Sequence, residues 1–386
     1  MTKSNSHKVG IIGVGYTPST PLSPSRSYKE MVFDAAVRAY CDAGIEFSEI
    51  QSFVSCSEDF LEGTSIFDEY TPDQLGAALK PVHTISADGI FGVAAAYMQI
   101  LTGRFDIIAV EAHSKASNIV DIEEIDSLAL DPIYNRPLGL NPHFILGLEM
   151  ARFCHETKTS PEDCARVVVK NRRNALDHPF APFASNLSIK DVARSPVISE
   201  PLRELDVARH SDGACVVVLS SASAAKKMKK YPVWITGVGW SSDAPSLETR
   251  EWGRPLYAEL AGAMAFKMAG MKNPRKAIDF LEIDDTASYK ELQHLEALGM
   301  CRRGEAKTLL RRGETQRDGS MPVNPSGGSL GLGHLLEATG LYRVAEACEQ
   351  LRGFAGRRQV KGAKSGLVMS WRGIPATSGA VAVLEI

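Results

Sequence analysis

The stretch NPSGGSLGLGHLLEATG, residues 324–340, decides how this chain is read. Glycines at 327, 328, 331 and 333 let a backbone turn tightly and pass close to a ligand or another chain. His334 follows at once, just inside the turn and at the opening of a helical pattern. An imidazole in that position titrates near neutral pH and can serve as a base or a hydrogen-bond donor. The plain alternative is a structural turn packed on a sheet, with His334 merely satisfied. The pattern alone leaves both open.

Working outward, the chain repeats itself. KVGIIGVG (8–15) has a counterpart in PVWITGVG (232–239), and SADGIFGVAAAYMQI (86–100) in SGGSLGLGHLLEATGLYRVAEA (326–347). FDIIAVEA (105–112) is matched by SGLVMSWRG (365–373), which a last strand, SGAVAVLEI, follows. The offsets are about 224 to 260 residues. Two similar halves are therefore expected, 1–225 and 226–386, with a site where their matching loops meet.

Each half reads as alternating strand and helix. Val9 to Val14 and Phe53 to Ser55 are strand patterns. Tyr28 to Ala43 is a helix stopped by Gly44, and Asp88 to Thr102 a helix stopped by Gly103. Further on come a helix over 164–176 and a strand over 212–221. The Lys-rich segment SASAAKKMKKY then reads as a boundary helix or linker, its KKMKK run a solvated face. The alternation predicts an α/β layered fold with a largely parallel sheet. Residues 113–160, broken by Asn, Asp, Pro and Gly, read as a long covering insertion over the surface.

Composition narrows the class. The chain has 386 residues, 43 basic and 46 acidic, a net charge of -3, which argues against a nucleic-acid binder. Hydrophobic content of 44% and charged content of 23% argue against wholesale disorder. There is no apolar stretch of membrane-spanning length and no signal-peptide pattern. The seven cysteines are scattered without a CxxC pair, so no metal site is expected, and a reduced, cytoplasmic protein is.

Three further places hold chemistry-bearing residues. In HTISADGIFG (83–92), Ser86 lies at a loop-to-helix junction, where backbone N–H groups can hold an oxyanion. Ser86 or Asp88 is equally suited to cap that helix. In FLEIDDTASYKEL (280–292), Asp284 and Asp285 follow a strand and suit orienting a water or a histidine, or an exposed helix cap. His143 lies in the covering insertion, where a lone histidine is often inert.

Together, NPSGGSLGLGHLLEATG, LEALGMCRRGEA (295–306), SDGACVVVL (211–219) and the duplicated pattern resemble the thiolase superfamily over nearly the whole chain. The likeness is to its sterol-carrier-protein-type and archaeal members in particular. The resemblance implies the thiolase fold, a five-layer α-β-α-β-α arrangement of two halves. It places the family's GH histidine at His334 and its thioester-contacting loop histidine at His143, six residues before Glu149. It also makes Arg136, Asn324, Gly333 and Arg372 candidates for contacts to coenzyme A.

The departures concern the reaction itself. The nucleophilic Cys position of the family reads Ser86, its His-Asp-Cys-Phe motif reads Asp284-Asp285-Thr286-Ala287, and its C-terminal catalytic Cys turn reads Ser370-Trp371-Arg372-Gly373. Glu337 stands where the family has Gly, within one helical turn of His334 if the helix begins there. A serine hydroxyl is un-ionised at neutral pH and needs a base. The resemblance therefore implies thiolase-like making or breaking of a C–C bond beside a CoA thioester. The alternatives are a thiolase-fold retro-aldolase on a 3-hydroxyacyl-CoA and a noncatalytic CoA-binding subunit. CoA enters as substrate, with no tightly bound cofactor. A homodimer and a small zinc-ribbon/OB-fold partner subunit are implied, and no nucleic acid or membrane.

Overall fold

The two Gly-Val-Gly repeats form matching strands, and the computed structural model builds the rest of each half around them. It describes residues 8–63, 70–228, 230–244, 246–373 and 377–386. The N-terminal half contains β1 (Val9–Tyr16), β2 (Ser52–Cys56), β3 (Val82–Ile85), β4 (Ile107–Lys115) and β7 (Asp212–Ser221). A two-stranded ribbon, β5 (Val197–Ser199) and β6 (Leu202–Arg203), stands apart. The C-terminal half contains β8 (Val233–Ser242), β9 (Phe280–Glu282), β10 (Ser365–Trp371) and β11 (Ser378–Glu385).

Among the described residues nine strands join in one sheet, in the order β3-β2-β4-β7-β1-β8-β11-β10-β9. The halves meet where β1 pairs with β8, through Gly10 with Trp234 and Ile11 with Val233. The expectation of a largely parallel sheet is corrected. β3–β2, β2–β4 and β10–β9 are parallel, but the pairs from β4 through β7, β1, β8 and β11 to β10 are antiparallel. The link from β10 to β11 is too short for a crossover, so those strands close as a hairpin. In each half the last strand lies beside the first: β7 between β1 and β4, and β11 between β8 and β10. The internal symmetry extends to the edges: Val323 bridges Leu281 in parallel, a one-residue remnant of the place that β3 fills in the other half.

Three apolar cores give the layers. Helix α1 (Tyr28–Ala43) covers one outer face with Val32, Ala35, Ala36 and Ala39. Helices α2 (Gly89–Leu101) and α8 (Thr339–Arg352) lie in the middle, packed against strands of both halves through Ile90, Val93, Leu341 and Val344. The other outer face carries α3 (Pro142–Thr157), α4 (Pro161–Asn174), α5 (Leu256–Ala269), α6 (Ser288–Ala297) and the short α7 (Gly328–Leu332). Among the described residues no helix is long and apolar enough to cross a membrane.

The covering insertion is shorter than its composition suggested. His113, Ser114 and Lys115 belong to the buried end of β4, and residues 142–157 form α3. Asn141 caps α3 by accepting the Phe144 N–H at 2.8 Å, and Pro142 occupies its first turn. The Asn-Pro pair that reads as a loop signal is here a helix start. Between β4 and α3, 116–141 holds only short helical turns, Ala116–Asn118, Ile122–Ser127 and Arg136–Leu138, joined by loops.

The glycines of the repeat set how closely helix and strand approach. A Cβ on Gly15 would lie 2.2 Å from the backbone nitrogen of Ala39 in α1, and one on Gly239 2.1 Å from the carbonyl oxygen of Ala261 in α5. Gly239→Ala is expected to cost about 1–3 kcal/mol through overpacking. In urea unfolding the midpoint should drop with an unchanged slope. An unchanged midpoint would show that α5 can move off the strand freely.

Candidate active site

Loops from both halves converge beyond the ends of the parallel strands, and a buried cation, Arg343 of α8, stands at their centre. Its guanidinium lies 3.0 Å from Asp284 and 3.6 Å from Asp285, and donates to Ser329 Oγ at 2.8 Å and to the Met369 carbonyl at 3.0 Å. Burial alone would raise the Asp284 carboxyl, but Arg343 holds it below the ordinary carboxylate range. Asp285 is pushed up to about 6 by burial, opposed by Arg343. It accepts N–H bonds from Ser329 at 2.6 Å and Leu330 at 3.2 Å and one from Asn171 Nδ2 at 2.8 Å. Asp285 thus braces the glycine-rich turn from within. The two aspartates are fully buried, which corrects the expectation of an exposed capping pair.

His334 emerges from this scaffold. Its N–H donates to the Arg209 carbonyl at 2.8 Å and its carbonyl accepts the Ser211 N–H at 3.0 Å, so the turn is clamped to the entry of β7. Its half-buried ring meets His210 edge-on, with the two Nδ1 atoms 3.4 Å apart. Desolvation pushes His334 down to about 4. Asp284 pulls the other way, and Arg343 adds to the lowering. The imidazole is neutral at physiological pH, as a base must be. His143 sits in the first turn of α3, not in a loop, with Nδ1 2.9 Å from Glu123, and its charge is felt at His210. His334 and His210 therefore stand together, while His143 contacts Glu123. His210 escaped the sequence reading, although it directly precedes the quoted SDGACVVVL.

Ser86 lies on the other side of Asp88. Its hydroxyl donates to Glu58 Oε2 at 2.7 Å, and Arg372 pairs with that same carboxylate oxygen. Among the described residues no histidine is hydrogen-bonded to it. The helix end behind it is already occupied: Asp88 accepts the N–H groups of Ile90 and Gly340 at 2.9 and 2.8 Å, and burial pushes its carboxyl up to about 6.

Three of the residues expected to contact CoA have partners within the protein. Arg136 donates to the carbonyls of Leu130 and Leu128 in its own loop. Asn324, itself at φ +52°, accepts the Ile283 N–H and donates to Glu291, both at 2.8 Å. Gly333 gives its N–H to Ser329. A Cβ there would strike Ser211 Oγ at 2.2 Å, so its glycine answers to packing.

Glu337 is not one helical turn from His334, because Leu336 at φ +47° breaks the helix between them. It turns instead toward a buried cluster that the sequence reading missed. There, His113 lies 2.7 Å from Glu111 and 3.1 Å from Glu62, and Ser55 donates to Glu111 at 2.7 Å. Burial opposes a charge on His113, but Glu62 and Glu111 raise it well above the ordinary value. Burial pushes Glu337 up to about 8, helped by Glu62 and Asp88, and its Oε2 has no hydrogen-bond partner among the described residues.

This carboxyl has a testable consequence. Between about pH 4.5 and about pH 8 the unfolded chain loses the Glu337 proton while the folded chain keeps it. Stability therefore falls as pH rises through that window. Glu337→Gln mimics the protonated acid and removes this contribution. The melting-temperature advantage of the variant over wild type should grow from pH 5 to pH 8. A difference independent of pH would mean that Glu337 is ionised in the fold.

Comparison with known proteins agrees with this architecture. Residues 241–386 match the family described as thiolase C-terminal domain-like. Over 97% of its length the chain is 31% identical to an acetyl-CoA acetyltransferase of Methanothermobacter thermautotrophicus, covering 98% of that protein. It is 27% identical to 17-hydroxy-3-oxo-4-pregnene-20-carboxyl-CoA lyase of Mycobacterium tuberculosis, over 97% of this chain and 99% of that one. A solved structure, the Ltp2-ChsH2(DUF35) aldolase, superposes with a TM-score of 0.85 at 26% identity, covering 99% of this chain and 98% of that chain. The fold is the thiolase fold, and the chain is an enzyme that belongs to the thiolase family.

Proposed function

We propose that this enzyme cleaves the Cα–Cβ bond of a 3-hydroxyacyl-CoA by retro-aldol chemistry, or forms it in reverse. The observation that carries this reading is the state of Ser86. Its only described polar partner is a carboxylate already engaged by Arg372, so nothing there makes an alkoxide. Retro-aldol cleavage needs no nucleophile. A base takes the 3-hydroxyl proton, the Cα–Cβ bond breaks, a ketone or aldehyde leaves, and the electron pair remains as a thioester enolate that is then protonated at Cα.

His334 is the base in this scheme. It is neutral and half-exposed, with His210 against its ring, and Asp284 stabilises the imidazolium that forms. Arg372, with Ser86 and Glu58, offers the polar wall against which the enolate oxygen develops. His143 and the 116–141 segment cover the acyl group. The similarity to a CoA lyase and to an aldolase named as a two-component assembly supports both the chemistry and a small partner subunit. A reducing, cytoplasmic setting fits the seven free cysteines, and a homodimer belongs to the reading through the family resemblance alone.

Thiolysis without a covalent acyl-enzyme is the second reading, favoured by the 31% identity to an acetyl-CoA acetyltransferase. The two differ in whether free CoA is consumed. Purified enzyme, with and without a zinc-ribbon/OB-fold subunit, is incubated with 3-hydroxyacyl-CoA and 3-oxoacyl-CoA panels and the products are read by mass spectrometry. The expected result is a carbonyl compound plus a shortened acyl-CoA, with no need for free CoA. His334→Ala should lower kcat/KM by about 10²- to 10⁴-fold, and Ser86→Ala by less than about tenfold. CoA-dependent turnover, or an acyl adduct on Ser86, would overturn the retro-aldol reading.

A further inference from the structure

The backbone itself sets His210 beside His334. The His334 N–H donates to the Arg209 carbonyl at 2.8 Å, and the Ser211 N–H donates to the His334 carbonyl at 3.0 Å. These two bonds flank residue 210 and make a single parallel bridge between His210 and His334. Residues bridged in this way send their side chains to the same side. The two rings meet edge-on, with centroids 5.2 Å apart and planes at 76°, and their Nδ1 atoms are hydrogen-bonded at 3.4 Å. A contact built into the main chain on both sides is fixed in place before any substrate arrives.

Both rings are uncharged at neutral pH. Desolvation pushes His334 down to about 4 and His210 down to about 3, and the charge of His334 adds to the lowering of His210. A hydrogen bond between two neutral imidazoles through Nδ1 needs the proton on one ring and the lone pair on the other. If His210 carried that proton, His334 would hold its own on Nε2 and present a donor. If His334 carries it, Nε2 keeps its lone pair and is a base. The carboxylates of the site are already engaged, Asp284 and Glu58 by arginines, Asp285 and Asp88 by backbone N–H groups. The proton-accepting role therefore falls to the histidine pair.

We propose that His210 is the positioning residue for His334: its Nδ1 accepts the His334 Nδ1–H, which fixes the tautomer whose Nε2 is bare and basic. When Nε2 takes the proton of the substrate hydroxyl, the donor at Nδ1 becomes cationic. A hydrogen bond from a charged donor is roughly twice as strong as a neutral one, so the bond to His210 tightens as the reaction proceeds. This rests on the reading that His334 is the base, but not on whether the reaction is an aldol cleavage or a thiolysis.

Two measurements test it. The first is steady-state kinetics of His210→Leu, which removes the acceptor, and of His210→Asn, whose Oδ1 stands where Nδ1 was and keeps a lone pair. His210→Leu should lower kcat by about ten- to a hundredfold with KM little changed. His210→Asn should recover most of that loss. In the His334→Ala background His210→Leu should cost nothing further, because it acts through His334. The second measurement needs no turnover. Imidazole ¹⁵N resonances are recorded for the wild type and both variants, with His334 identified as the pair missing from His334→Ala. His334 should carry its proton on Nδ1 in the wild type and in His210→Asn, and lose that preference in His210→Leu. An unchanged kcat in His210→Leu, an equal loss in His210→Asn, or a wild-type His334 protonated on Nε2 would overturn the assignment. If the Nδ1 proton depends on His210 while His334→Ala stays fully active, the tautomer assignment stands and the reading of His334 as the base fails.

Discussion

Everything near the site leans on one buried charge, the guanidinium of Arg343. It holds Asp284 from the loop after β9, Ser329 from the glycine-rich turn and the Met369 carbonyl from β10, three segments that no short-range sequence relation joins. Its influence is also electrostatic. By keeping Asp284 ionised and opposing a proton on His334, it sets the protonation state of both partners. Removing one member of such a buried set costs far more than its net contribution suggests, because the others are left uncompensated.

The fold is symmetric and the chemistry is not. Matching strands, matching close-packed helices and matching glycines appear in both halves, yet the two buried central helices bring different groups to the cleft. The N-terminal half supplies Ser86 and Asp88, and the C-terminal half supplies His334 and Arg343. Where a reactive thiol would be needed for a covalent mechanism, this chain presents hydroxyls and carboxylates, while Cys56, the cysteine nearest α2 in sequence, lies fully buried against Gly92. Acid-base work among fixed charges is what such an inventory can support.

Much of the architecture was legible because periodicity and glycine placement are local. The helix over Tyr28–Ala43, the strand over Asp212–Ser221 and the duplication follow from them directly. The mixed sense of the sheet was not, since strand direction depends on which strands neighbour each other in space. At the site, His334 stood out by its glycine neighbours. His113, Glu111 and Glu62 did not, for they lie on a buried strand and a short turn whose apposition is tertiary. Asn324 and Arg136 show another limit. Their polar ends look available in sequence, but the backbone groups they satisfy are invisible there.

The two ends of the sheet finish differently. On the C-terminal side, Val323 caps β9 with a single bridge before the chain turns into the glycine-rich loop. On the N-terminal side, β3 runs four residues along β2, and no described strand pairs with its other side. A row of unpaired backbone groups is a template for strand addition, so the liability for aggregation is concentrated at one end of the molecule. Because β3 ends at Ile85 and Ser86 comes next, whatever covers that edge also stiffens the turn that presents Ser86. Colloidal stability and the shape of the reaction cleft are thereby placed under the control of the same four residues.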